Sequence, residues 1–223
     1  MNLKSPVEKH FDKIAIDYDY YKNRNFFYYE NLKKLLRNLI PENKRVFEVG
    51  CGTGNLLASL NPKVGFGFDI SSEMVKRAKK KYNSKKNLHF FTESPFIIHR
   101  SLDFIFMSDV VEHLENPKAI FGKISKTMDR NTVFVNTMAN PIWEPVLILA
   151  EKLGLKIPEG KHNRIGNNEL RIMMNNVGLK IIKHDYKLLV PVNIPIVTKY
   201  ANIYLEKLFK KYAFIEYFVA TKG

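Results

Sequence analysis

Val46-Phe47-Glu48-Val49-Gly50-Cys51-Gly52-Thr53-Gly54 is the stretch that decides the fold of this chain. Strand-forming residues run straight into three glycines at alternate positions, and Asn55 to Leu60 then reads as the opening of a helix. A strand, a glycine turn and a helix bring backbone N–H groups close to a ligand, because glycine has no Cβ in the way. A second apolar run, Val64-Gly65-Phe66-Gly67-Phe68, ends on Asp69. A carboxylate at the tip of a second parallel strand is placed to accept from both hydroxyls of a ribose.

The glycine spacing narrows the nucleoside. A dinucleotide fingerprint reads G-x-G-x-x-G and sets a pyrophosphate on the helix N-terminus. Here the pattern is G-x-G-x-G, with Glu48 two residues before the first glycine. A carboxylate at that point repels a pyrophosphate and suits an ammonium group. The expected ligand carries a ribose at one end and positive charge at the other, as S-adenosyl-L-methionine does. An NAD-linked reading is demoted by the spacing.

These residues also resemble a known family, the class I S-adenosylmethionine-dependent methyltransferases. Glu48-Val49-Gly50-Cys51-Gly52-Thr53-Gly54 is similar to their first motif, and Phe68-Asp69-Ile70-Ser71 to their second. Ser108-Asp109-Val110-Val111-Glu112-His113-Leu114 resembles the fourth-strand segment of the small-molecule branch, which includes ubiquinone-biosynthesis O-methyltransferases. The likeness covers roughly residues 10 to 140. It implies cofactor contacts from Glu48, Gly50, Cys51, Gly52, Thr53, Gly54, Asp69, Ile70 and Ser108. The adenine amine is expected to meet Glu93 or Ser94, where the family usually has an aspartate. Ala15-Ile16-Asp17-Tyr18-Asp19 matches the family's A-x-x-Y-D segment and puts the Tyr18 hydroxyl near the methionine end.

From Lys44 onward, strand and helix patterns alternate, which argues for a parallel sheet covered on both faces. The expected fold is a Rossmann-like α/β domain with a seven-stranded, mostly parallel sheet, an N-terminal helical cap and insertions after strands five and six. Strands are expected at 45–49, 64–69, 87–92, 102–107, 131–138, 179–188 and 213–221; helices at 54–60, 71–82, 117–128 and 167–177. One domain spans 1–223, with the cap at 1–43, the cofactor-binding core at 44–138, and substrate-side insertions at 139–168 and 189–212. Apolar content of 45% and charged content of 26% over 223 residues are those of an ordinary globular domain. The single cysteine, Cys51, excludes a disulfide framework. No leader or membrane-spanning run is read from the sequence, so a cytoplasmic location is expected.

Asp109, His113 and His162 are the candidate catalytic side chains. Strand four delivers Ser108 and Asp109 to the floor of the site, since ligands collect at strand carboxyl ends. Related quinone O-methyltransferases imply that Asp109, Glu112 and His113 can hold a divalent cation; the alternative, that Glu112 and His113 anchor the next helix, is preferred. His162 is a loop histidine suited to general-base work or to the surface, and Arg164 suits an acidic substrate. The net charge of +14 admits an RNA partner, yet the densest run, Lys76 to Lys81, falls on the solvent side of an expected helix. Pro191 to Val197 leads into a basic amphipathic stretch ending Leu205-Glu206-Lys207-Leu208-Phe209-Lys210-Lys211, whose apolar residues interleaved with lysine fit a peripheral lipid contact or a cap helix packed on the domain. The expected partner is a small or lipid-like acceptor, methylated at oxygen. RNA methylation and a non-catalytic nucleoside-binding module remain the alternatives, and the oligomeric state is left open.

Overall fold

The computed structural model describes residues 4–92, 101–157 and 165–223. The central sheet is built from β1 (Arg45–Val49), β2 (Val64–Phe68), β3 (Leu88–Phe91), β4 (Phe104–Ser108), β5 (Val133–Ala139), β6 (Leu179–Lys187) and β7 (Ile215–Lys222). Their spatial order is β3-β2-β1-β4-β5-β7-β6. Pairings from β3 through β5 are parallel, and β7 enters antiparallel to both β5 and β6. The chain reverses its direction of travel across the sheet between β1 and β4, and the crevice at their carboxyl ends is where such sheets bind ligands.

Alternation along the strands fills two cores. Val46 packs with Leu32, Leu36, Leu57 and Val75 on one face, under helices α3 (Phe26–Leu39), α4 (Asn55–Ser59) and α5 (Ser72–Lys81). Its neighbour Phe47 packs on the other face with Ile105, Phe121, Ile124 and Met174, under α6 (Pro117–Thr127) and α8 (Asn167–Asn176). The central strands β1, β4 and β5 therefore carry apolar residues on both sides, as a doubly covered sheet requires.

Local chemistry sets the helix starts. Ser71 caps α5 by accepting from the Met74 N–H at 3.1 Å, and Asn116, followed by Pro117, caps α6 by accepting from Ala119. The core strands and helices lie within two residues of the expected bounds. The helical cap consists of α1 (Pro6–Ile14), α2 (Tyr18–Arg24) and α3, with the aromatics Tyr18, Tyr20, Tyr21, Phe26, Phe27, Tyr28 and Tyr29 inside α2 and α3. The insertion after β5 forms α7 (Glu144–Lys152), and the insertion after β6 forms α9 (Val197–Tyr200), which continues as one π-turn through Leu205.

Candidate active site

The three loop glycines all adopt left-handed backbone, with φ of +75° at Gly50, +51° at Gly52 and +81° at Gly54. Space reinforces the requirement. A Cβ on Gly50 would lie 2.3 Å from a Val110 methyl, and one on Gly54 2.7 Å from the Phe90 ring. The loop is thereby pressed between β4's exit and β3, with α4 leading away from it.

Asp69 closes the loop from the second strand. Its Oδ2 accepts from the Gly52 N–H at 2.7 Å and its Oδ1 from the Ser71 N–H at 2.9 Å. Burial pushes the carboxyl above its ordinary value, and those two bonds pull back against it. Each oxygen keeps acceptor capacity for a further donor. Glu48, 2% exposed, accepts from the Leu57 N–H at 3.1 Å through Oε2. Its carboxyl is raised well above the usual range by burial, with Lys22 opposing the shift. A cationic ligand beside it would favour the ionised form.

A cavity of about 430 Å³ lies over this loop. Tyr18, Glu48, Gly50, Cys51, Gly52, Asp69, Ile70, Ser108, Asp109 and His113 all line it, so ten of the expected site residues converge there. Thr53 and Gly54 do not line it. The Thr53 hydroxyl instead donates to Asp19 at 2.6 Å, and Gly54 makes the turn into α4. Glu93, Ser94, His162 and Arg164 lie outside the described residues.

The N-terminal cap is tied down by two carboxylates: Asp12, which the sequence did not mark, and Asp19, the acid of the A-x-x-Y-D segment, which the sequence marked without a role. Asp12 of α1 accepts from the Ser71 hydroxyl at 2.6 Å and from the Glu73 N–H at 3.2 Å. Asp19 of α2 accepts from Thr53 and Asn55 on the glycine loop and from Lys81 of α5. Burial pushes both carboxyls up. The bonds from Lys4, Ser71 and Glu73 to Asp12, and from Lys81, Thr53 and Asn55 to Asp19, outweigh it and hold both below the ordinary carboxylate value. This clasp lays the Tyr18 ring against Gly52, within 3.0 Å of where a Cβ would stand. Lys22, one turn along, rests its ammonium 4.4 Å from the Tyr18 ring centre and 4.7 Å from that of Tyr29.

A second cavity, of about 410 Å³, adjoins the first and shares Tyr18, Lys22, Tyr29 and Asp109 with it. Its walls are chiefly apolar, including Met138, Trp143, Leu147, Ile157, Ile165 and Phe214, with Asp109 and Glu112 at the shared end. Asp109 has φ of +53°, unusual for a residue with a side chain, and its Oδ2 accepts from the Tyr28 hydroxyl at 2.6 Å. Burial and the adjacent Asp109 charge raise the Tyr28 phenol well above its usual value, so it stays a donor. His113, on the 3₁₀ turn Val111–His113, meets the Phe11 ring edge-on at 5.2 Å and lines the first cavity. Ser108 shares a 2.7 Å hydrogen bond with Thr137 on β5. Among the described residues, no group of three or more metal-ligating side chains is assembled.

The residues present fit a sulfonium nucleoside: a loop whose Cβ positions are blocked, a buried carboxylate with acceptor capacity, an exposed Ile70 beside it, and a cation at the far end. Comparison with known proteins agrees. A family model described as a methyltransferase domain matches residues 20–184. The uncharacterized protein MJ1123 of Methanocaldococcus jannaschii is 33% identical over 120 residues, covering 54% of this chain and 56% of that protein. A malonyl-[acyl-carrier protein] O-methyltransferase from Ilyobacter polytropus is 30% identical over 131 residues, covering 54% and 49%. The chain thus spans about half the length of the curated relatives it matches. In fold it is similar to a solved Thermotoga maritima methyltransferase, with TM-score 0.73 and 15% identity over 97% of this chain and all of that one.

Proposed function

The chain belongs to the methyltransferase-domain family of class I S-adenosylmethionine-dependent enzymes, and on that premise we propose that it transfers a methyl group from S-adenosyl-L-methionine to an apolar, lipid-like acceptor at oxygen. One observation carries the reading. A cavity on the glycine loop and a second, apolar-walled cavity meet at Tyr18, Lys22, Tyr29 and Asp109.

When bound, the cofactor supplies an activated methyl group, so the protein's work is alignment and proton removal. Asp69 accepts from the ribose, the glycine loop offers its backbone, and Ile70 covers an adenine face. Lys22 pairs with the carboxylate of the methionine end. The cap, clasped through Asp12 and Asp19, excludes water from the reacting groups. Asp109 faces both cavities and takes the acceptor's proton, with Tyr28 donating to Oδ2 to fix its orientation. His113, which lines the cofactor side alone, seats Phe11 of the cap. Apolar walls suit a hydrophobic acceptor and offer little to a polyanion, which favours this reading over an RNA substrate.

Transfer of radiolabelled methyl groups from S-adenosylmethionine into a panel of quinones, phenols and lipid extracts tests the proposal. The expected result is label in an organic-soluble product, with Asp109→Asn slowing turnover by about 100-fold and leaving cofactor affinity intact. Labelling of RNA in place of lipid would overturn the acceptor class, and an unchanged rate in Asp109→Asn would overturn the base.

A further inference from the structure

The helical segment from Val197 to Leu205 is amphipathic in the inverse sense. Its polar side faces the protein. Thr198 accepts from the Ile194 N–H and donates to the Val192 carbonyl; Asn202 bonds both the N–H and the carbonyl of Val190. One turn beyond, Glu206 accepts from the Leu188 N–H and from Lys187. Thr198 is 3% exposed and Glu206 7%, against 67% for Tyr204 and 74% for Leu208. Val197, Tyr200 and Ile203 are exposed with them. The hydrogen bonds fix which side points inward, so the apolar side is held outward.

The other insertion also holds apolar side chains outward, with Val146, Ile148 and Leu149 exposed. Helix α7 reads Glu-Pro-Val-Leu-Ile-Leu-Ala-Glu-Lys and has no buried residue. The two insertions are joined directly, by the Trp143 indole N–H on the Tyr212 carbonyl at 2.8 Å and by Asn140 on the Lys211 and Ala213 carbonyls. Val146, Leu155 and Val192 each line the second cavity and are each more than half exposed, so that cavity opens between the two apolar faces. Lysines punctuate the collar at 152, 199, 207 and 211, all on a chain of net charge +14.

We propose that this collar docks on an anionic lipid bilayer, with the apolar side chains of α7 and of residues 197–208 entering the interface and the lysines meeting the headgroups. A free protein rarely exposes so large an apolar surface around one opening, and lysine stems beside it place their charge at headgroup level. The contact itself rests on the exposed faces alone. Its consequence, that the acceptor passes from the bilayer into the second cavity, rests on the methyl-transfer reading above.

Flotation with vesicles of phosphatidylglycerol and phosphatidylcholine in equal parts, against phosphatidylcholine alone, tests the contact. Wild-type protein is expected to float with the anionic vesicles. The pair Ile203→Glu and Leu208→Glu is expected to reduce the bound fraction at least tenfold, and so, on anionic vesicles, is Lys207→Glu with Lys211→Glu. Cofactor titration of the same preparations reports the first cavity separately, and a normal titration with no flotation would overturn the membrane contact while leaving the methyl-transfer reading standing. Flotation retained by both variants would also overturn it. So would a concentration-dependent dimer that Leu208→Glu dissolves, in a protein that ignores vesicles, because a second copy would then be what covers the collar.

Discussion

Gly50 shows how little freedom the glycine loop has. Its φ of +75° costs an L-residue about 1–2 kcal/mol, and its missing Cβ is where Val110 packs. Gly50→Ala therefore meets a strained backbone and a 2.3 Å approach together. The expected outcome is a melting temperature lower by several degrees, since each kcal/mol moves a domain of this size by about 2–4 °C. Thermal denaturation followed by circular dichroism measures it; an unchanged midpoint would mean that Val110 and the loop move aside freely. Gly50, Gly52, Gly54 and Asp69 were legible in the sequence because a ligand-cradling turn demands those residue types at fixed spacing. Lys22 and Tyr28 were not. Each sits on an ordinary-looking helix, and only the docking of that helix on the glycine loop and on Asp109 gives it a role. The one local signal was Asp19, the acid of the A-x-x-Y-D segment, whose partners lie 34 and 36 residues away.

The cap is an element held by two carboxylates, and its pH response follows from their direction of shift. Asp12 and Asp19 lie below the ordinary carboxylate value in the folded protein. Their stabilising ties are present in full above the unfolded value, about pH 4, and are lost as pH falls through the folded value. At neutral pH, Asp19→Asn is expected to speed amide hydrogen exchange in α1 and α2 while β1, β4 and β5 keep their protection. Equal protection of the cap in the two proteins would show that Asp19 does not hold it. Residues 197–205 teach a different lesson about elements. Helical spacing of apolar residues was readable, but which face turns inward was not, because the ordinary rule puts the apolar side down. Here the rule is reversed by Thr198, Asn202 and Glu206, which find backbone partners on the segment before them.

Across the whole molecule, the sheet order follows from the sequence more simply than the site does. Alternating strand and helix patterns dictate a parallel core, and after the insertion that follows β6 the chain returns as β7, antiparallel between β5 and β6. That arrangement sets the glycine loop, Asp69 and Asp109 around one crevice and leaves the two insertions to wall its far side. The second cavity was legible only in part: α7 and the stretch around Val190 lie in the two insertions expected on the substrate side, whereas no spacing along the chain encodes their meeting with α3 and β5.

The central claim is that the cavity over Gly50, Gly52 and Asp69 binds S-adenosylmethionine. Isothermal titration of the protein and of Asp69→Ala with S-adenosylmethionine, and with its demethylated product, measures it directly. The account predicts saturable binding at one site per chain, weakened at least tenfold in the variant, which is about 1.4 kcal/mol. Binding of equal strength in a folded Asp69→Ala protein, or no binding to the wild type, would contradict it.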